Sequence, residues 1–212
     1  MQTLTEQVIS QSTKPFFTRN ELEQWVKGSA DRRNALLRRA LAAGEIARIR
    51  RGLYMLCPPY QKQKPNPFAL AQHLYGPSYI GLESALAFHG WIPEAVYTVA
   101  SVSLNRSRTF ETPVGRFDFM RVPQRCFYVG VERVESGTGN EPVLVAHPVK
   151  ALADLVHVRR SSESLAGFLG SLRIDADALG SVAGGLVDEL IGNYSGLRVK
   201  RFLQQVREVM DR

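Results

Sequence analysis

Residues 30–56 read ADRRNALLRRALAAGEIARIRRGLYML, and within them the hydrophobic period changes once. Up to Ala43 the apolar residues recur at helical spacing. At roughly 100° per step, Leu36, Leu37, Ala40 and Leu41 share one arc. Arg32, Arg38 and Arg39 fall on the opposite side, with Ala35 and Ala42. Arg33 lies inside the apolar arc, so its charge must snorkel from the first turn or bond locally. Gly44 supplies the left-handed terminator that closes such a helix. From Glu45 the period becomes two. Ala47 and Ile49 alternate with Arg48 and Arg50, which predicts a half-buried strand with a cationic outer face. Arg51-Gly52 supplies a turn, and Leu53-Tyr54-Met55-Leu56 returns as the partner strand.

Working outward, Ser29 or Asp31 caps this helix. Before it, Thr18-Arg19-Asn20-Glu21 is a capping box that opens a helix burying Leu22, Trp25 and Val26, with Phe17 placed as its staple. Lys14-Pro15 ends a first short helix over residues 3–10, because proline cannot continue the ladder. Two helices followed by an arginine-tipped hairpin predict a winged helix-turn-helix. In that geometry the second helix enters a DNA groove and the wing grips phosphate. Arg32 and its neighbours Arg33, Arg38 and Arg39 are candidate base readers, Arg33 the weakest, with Asn34 as an adenine reader. Arg48, Arg50 and Arg51 are candidates for phosphate or the minor groove. The competing interpretation is a solvated helix whose charges only keep the chain in solution. Such helices usually alternate sign for i,i+4 pairing, and here only Asp31 is interleaved.

Charge is distributed in keeping with this. Residues 1–60 hold ten Lys/Arg against five Asp/Glu, whereas residues 61–212 hold seventeen against fifteen, so most of the +7 excess lies at the front. A single module meeting a polyanion would carry charge in this way. Cys57 and Cys126 are far apart and lack CxxC spacing, which predicts neither a disulfide framework nor a zinc site and points to a reducing cytoplasm. No signal peptide and no membrane-length apolar run are read in the sequence.

Residues 58–67 are rich in proline and read as a stiff connector, placing a boundary between a front domain (1–58) and a rear domain (68–212), with 59–67 as linker. The rear text predicts helices from about Phe68 to Leu74 and from Leu82 to Phe88. Strands are expected at 97–104, 116–122, 128–134 and 143–146. Helices follow at about 148–159, 162–171, 175–191 and 196–210, the first opened by Pro148. The fold class is therefore α+β: a winged helix-turn-helix, then a mixed α/β domain with a helical tail.

Three stretches carry a resemblance. They are the basic helix and wing ending in Arg50-Arg51-Gly52-Leu53-Tyr54, the segment YIGLESALAFHG at 79–90, and AHPVKALADL at 146–155. With the Thr112–Phe117 hairpin between the last two, the chain resembles the AbiEi-type antitoxins of type IV toxin–antitoxin (abortive infection) systems. That resemblance implies a winged-helix repressor of its own promoter, acting on double-stranded operator DNA; a palindromic operator would require two copies in two-fold relation, a homodimer on DNA. It also implies a rear domain that counteracts a nucleotidyltransferase-like toxin. The alternative is a solitary regulator of a mobile element whose rear domain senses a ligand or binds a protein.

Enzymatic chemistry finds little purchase. Ser84 and His89 fall on different faces of a helix and no GxSxG elbow surrounds the serine, so a packed helix is expected. Lys150 and Asp154, spaced i,i+4, read as a surface or interdomain ion pair. The four histidines lack HExxH or His/Cys pairing. Asp118 and Glu132 sit on predicted strands, as nuclease carboxylates do, but without a following Glu-x-Lys. No Walker A loop or GxGxxG occurs. No metal and no cofactor are implied.

Overall fold

The computed structural model describes residues 3–93, 97–135 and 141–211. At the front, α1 (Leu4–Gln11) leads through β1 (Phe16–Thr18) to α2 (Arg19–Trp25) and α3 (Ala30–Ala42), then to β2 (Ile46–Arg50) and β3 (Leu53–Leu56). Local chemistry sets these boundaries. Thr3 with Glu6 and Thr18 with Glu21 form complete capping boxes. Ser29, rather than Asp31, caps α3 by accepting from the Arg32 N–H. Gly44, at φ +68°, takes the left-handed turn that releases the chain into β2. The strands form an antiparallel sheet in the order β1-β3-β2. Helix, strand, two helices and a hairpin whose inner strand pairs with β1 make this a winged helix-turn-helix.

The small sheet is covered on both faces. Phe17, Ile46, Tyr54 and Leu56 join Leu22, Leu36 and Leu37 in a front core. Phe16, Ile49, Leu53 and Met55 instead belong to the large rear core, with Ala47 packed against it. The alternation of β2 therefore holds in that Ala47 and Ile49 turn inward while Arg48 and Arg50 stay exposed. The core they face is the rear one, however, and Ile46 serves the front. A register shift between Arg48 and Arg50 accompanies this arrangement. Strand β1 follows directly on the Lys14-Pro15 that ends the first helix, where the sequence shows only the end of a helix. It pairs because Phe16 and Phe17 have a core on each side.

The rear begins with α4 (Pro67–Leu74), opened by Asn66 as cap. It continues through β4 (Ser78–Ile80), α5 (Leu82–Phe88), β5 (Thr98–Ser103), β6 (Arg108–Thr112), β7 (Gly115–Arg121), β8 (Val131–Glu135) and β9 (Pro142–Ala146). These strands form one mixed sheet in the order β6-β7-β5-β4-β9-β8, with β5–β7 and β4–β9 parallel. Next come α6 (Pro148–Arg159), α7 (Leu165–Ser171), a 3-10 helix (Ala176–Ser181), α8 (Gly184–Asn193) and α9 (Leu197–Met210). The single helix expected at 175–191 is thus broken. Val182 and Ala183 are extended, and helix resumes at Gly184. Helix α6 is central, packed against α5 and α9, and is buried from Pro148 to Val156.

That burial overturns the surface reading of Lys150 and Asp154. Both side chains are fully buried. Sequence spacing gave the pair, but nothing in it showed that α6 would be covered all round.

Candidate nucleic-acid interface

Arg32, Arg38 and Arg39 are exposed on the solvent side of α3, while Leu36, Leu37 and Ala40 hold the opposite side in the front core. Arg32 lays its stem over Gly28, where an added Cβ would stand 3.1 Å from the arginine Cδ. Arg39 reaches back with its Nε to the Ala35 carbonyl at 3.4 Å, leaving the rest of the guanidinium to solvent.

Arg33 and Asn34 are placed differently. Arg33 donates from Nη1 to the Gly28 carbonyl at 2.5 Å and to that of Val26 at 3.5 Å, closing the turn between α2 and α3. Its position in the apolar arc requires a local partner of this kind. Asn34 is half-buried and accepts from Arg19 Nη2 at 3.0 Å, so one edge of its amide braces α3 against α2.

The hairpin carries the second group. Gly52, at φ +82°, makes the turn, and Arg51 stands exposed at the tip. Arg48 lies over the Tyr54 ring with its Cζ 6.0 Å from the centroid, a cation–π arrangement that orders the side chain without neutralising it. Arg50 is half-engaged: Nη1 donates to the Arg51 carbonyl at 3.2 Å and Nη2 to that of His73 at 3.0 Å.

Between the wing and the start of α2 runs an open groove of about 800 Å³, lined by Thr18, Arg19, Asn20, Arg48, Arg50, Arg51, Gly52 and Tyr54. None of the lining residues is acidic. Sequence reasoning missed Arg19, which looked like part of a capping box. Its N–H donates to the Gly52 carbonyl at 2.9 Å, so the wing turn and the first residue of α2 are tied together. Only the long-range β1–β3 pairing brings them there. The front acids are mostly occupied: Glu6 and Glu21 cap helices, Glu23 pairs with Arg19, and Glu45 accepts the Thr5 hydroxyl. The exposed guanidiniums of α3 and the wing are left to solvent, with Asp31 the one acid on α3.

Other chemical candidates are structural. Ser84 Oγ accepts from the Ala100 N–H at 2.8 Å and donates to the Thr98 carbonyl at 3.2 Å, stitching α5 to β5. His147 caps α6, and burial holds its ring below the ordinary histidine range, so it stays a neutral acceptor for the Val149 N–H. Asp118 on β7 and Glu132 on β8 are separated by β5, β4 and β9, roughly 19 Å at ordinary strand spacing, too far to share an ion. Among the described residues no cluster of three or more metal-ligating side chains occurs, and no helix is long and apolar enough to cross a membrane.

Residues 9–56, from α1 through the end of the wing, match the AbiEi antitoxin family, described as a transcriptional regulator. The front of this chain is thus similar to the AbiEi antitoxin family over that stretch. A comparison with curated proteins gives no match. The matched AbiEi segment contains every arginine of α3 and the wing, and it ends at Leu56, the last residue of β3. The two rear motifs lie outside it.

Proposed function

We propose that this protein is a sequence-specific repressor of transcription that acts in the cytoplasm on double-stranded operator DNA. Helix α3 enters the major groove with Arg32, Arg38 and Arg39 toward base edges, and the wing groove takes the flanking backbone. Arg19 joins Arg48, Arg50 and Arg51 there. Arg33 and Asn34 act mainly as braces that fix the angle of α3. The observation that carries this reading is the pairing of an exposed arginine face on α3 with an acid-free groove beside the wing. The AbiEi match to a transcriptional regulator family supports it.

The division of labour proposed is DNA binding by residues 1–58, a connector at 59–67, and regulation by 68–212. A palindromic operator would need two copies in two-fold relation. The finer reading is an autoregulating type IV antitoxin whose rear domain meets a nucleotidyltransferase-like toxin. Titration of the full chain against the duplex upstream of its own gene is the direct test. Binding that exceeds scrambled duplex by at least about a thousandfold supports a specific repressor, and equal binding overturns it. Co-expression with the neighbouring gene product tests the toxin reading. A full-length variant lacking Arg38 and Arg39 should lose operator binding yet still restore growth if antagonism resides in the rear.

A further inference from the structure

A cleft of about 540 Å³ opens in the helical tail, between the first turns of α9 and the 161–164 segment that follows α6. Its floor is apolar: Val156, Phe168 and Phe202, all buried. Along the α9 wall run Leu197, Arg198, Arg201 and Gln205, spaced to share a side of the helix. Leu197 is 71 % exposed, unusual for a leucine beside an apolar floor. Neither Arg198 nor Arg201 has an ion-pair partner among the described residues. Glu163 stands on the other wall, so the cleft sets two guanidiniums against one carboxylate. Gln205 accepts the Leu165 N–H through Oε1 at 3.0 Å, which leaves its Nε2 free to donate.

We propose that this cleft binds a small carboxylic acid carried on an apolar body. The volume lies within the range of small-molecule sites, about 300–1,000 Å³, and the combination of apolar floor and a few convergent polar groups is their usual lining. Guanidinium forks suit a carboxylate. A net excess of one positive charge suits a single negative charge, because a second would face Glu163. That argues against nucleic acid or a polyphosphate here and separates this site from the arginine surface at the front. Burial, aided by the charges of Arg198 and Arg160, holds His157 below its ordinary range despite the pull of Asp154. This cleft is separate from the DNA-facing surface, and its occupancy can be measured without DNA.

Calorimetric titration of the full-length chain with benzoate and with octanoate is the test, with phenyl phosphate as a doubly charged contrast. One-site binding of either carboxylate is expected, tighter than that of phenyl phosphate. An Arg198→Ala/Arg201→Ala variant should weaken it at least about tenfold, while Glu163→Gln should tighten it about twofold. Arg38→Ala/Arg39→Ala should leave it unchanged. The positions changed on α9 are exposed, and an unaltered thermal melt confirms that the variant is folded. No saturable heat from either carboxylate up to about 10 mM, or equal binding by the double variant, overturns the proposal.

Discussion

Lys150 Nζ and Asp154 Oδ2 lie 3.8 Å apart, one turn along α6, with both side chains fully buried. At that distance the direct pair is loose, and neighbouring groups do most of the satisfying. Tyr194 donates its hydroxyl to Asp154 Oδ1 at 2.6 Å and accepts from Lys150 Nζ at 3.1 Å. Tyr79 donates to Oδ2 at 2.8 Å, and Gln124 accepts from the ammonium at 2.5 Å. Burial pushes the Asp154 carboxyl up and the Lys150 ammonium down, and each is partly restored by the other's charge. The result is a polar knot joining β4, α6, the segment after β7 and the end of α8.

Removing one member should therefore leave the other buried and uncompensated, so the two losses should not add. Lys150→Met leaves Asp154 buried without its cation and should destabilise the fold by about 3–5 kcal/mol. Lys150→Met combined with Asp154→Leu should cost clearly less than the sum of the two single changes, although two tyrosine hydroxyls lose an acceptor. Denaturant unfolding of the four-member cycle measures this. Additive losses would mean that the two groups do not depend on each other.

At the front, the salt dependence of DNA binding separates wing arginines by how free they are. Arg51→Ala should lower the slope of log affinity against log salt by about 0.9, the value for one lost phosphate contact, and Arg19→Ala by less, because its guanidinium is shared with Glu23 and Asn34. Arg50→Ala should also lower it less, because its guanidinium is shared with the His73 carbonyl. If Arg19→Ala leaves the slope unchanged, the groove between α2 and the wing is not on the DNA path.

Much of this front architecture was legible because it is locally encoded. The apolar arc of α3, its terminator Gly44, the Thr18 capping box and the Arg51-Gly52 turn all act within a few residues. Arg33 was legible for the same reason, since a charge on the apolar arc has few places to go. What escaped depends on distant cover. Phe16 and Met55 pack on the rear core, Arg19 reaches the wing only through β1–β3 pairing, and Lys150 is buried because α5 and α9 flank α6. The break at 182–183 escaped because helical periodicity runs on across it.

The contrast between Arg39 and Arg33 tests the division between reading and bracing. Arg39→Ala should leave stability nearly unchanged, weaken cognate binding by about 1–3 kcal/mol and spare random duplex. Arg33→Ala should instead cost about 1–2 kcal/mol of folding stability, since it removes the donor that closes the α2–α3 turn. A melt combined with binding to cognate and scrambled duplex distinguishes them. The assignment fails if Arg33→Ala melts like the parent and loses only base preference.

The seam between wing and rear should carry an acid-sensitive part of the stability. Glu141 Oε1 accepts from Lys14 Nζ at 2.8 Å and meets His73 Nε2 at 2.7 Å, and the His73 ring packs on Phe16 of β1. Burial works against the Glu141 charge, but the bonds from His73 and Lys14 outweigh it and hold the carboxyl below its ordinary value of 4.5. A carboxyl lowered in the folded state stabilises fully above its unfolded value and loses that contribution as pH falls through the folded one. Glu141→Gln should thus cost about 1 kcal/mol near neutrality, a modest figure because both partners keep some solvent contact. The difference from the parent should shrink as pH drops below 4.5 and close once the parent carboxyl is protonated. Urea midpoints for both proteins across the acid range give the comparison. A gap that stays constant with pH would show that the carboxylate's charge contributes nothing at this seam.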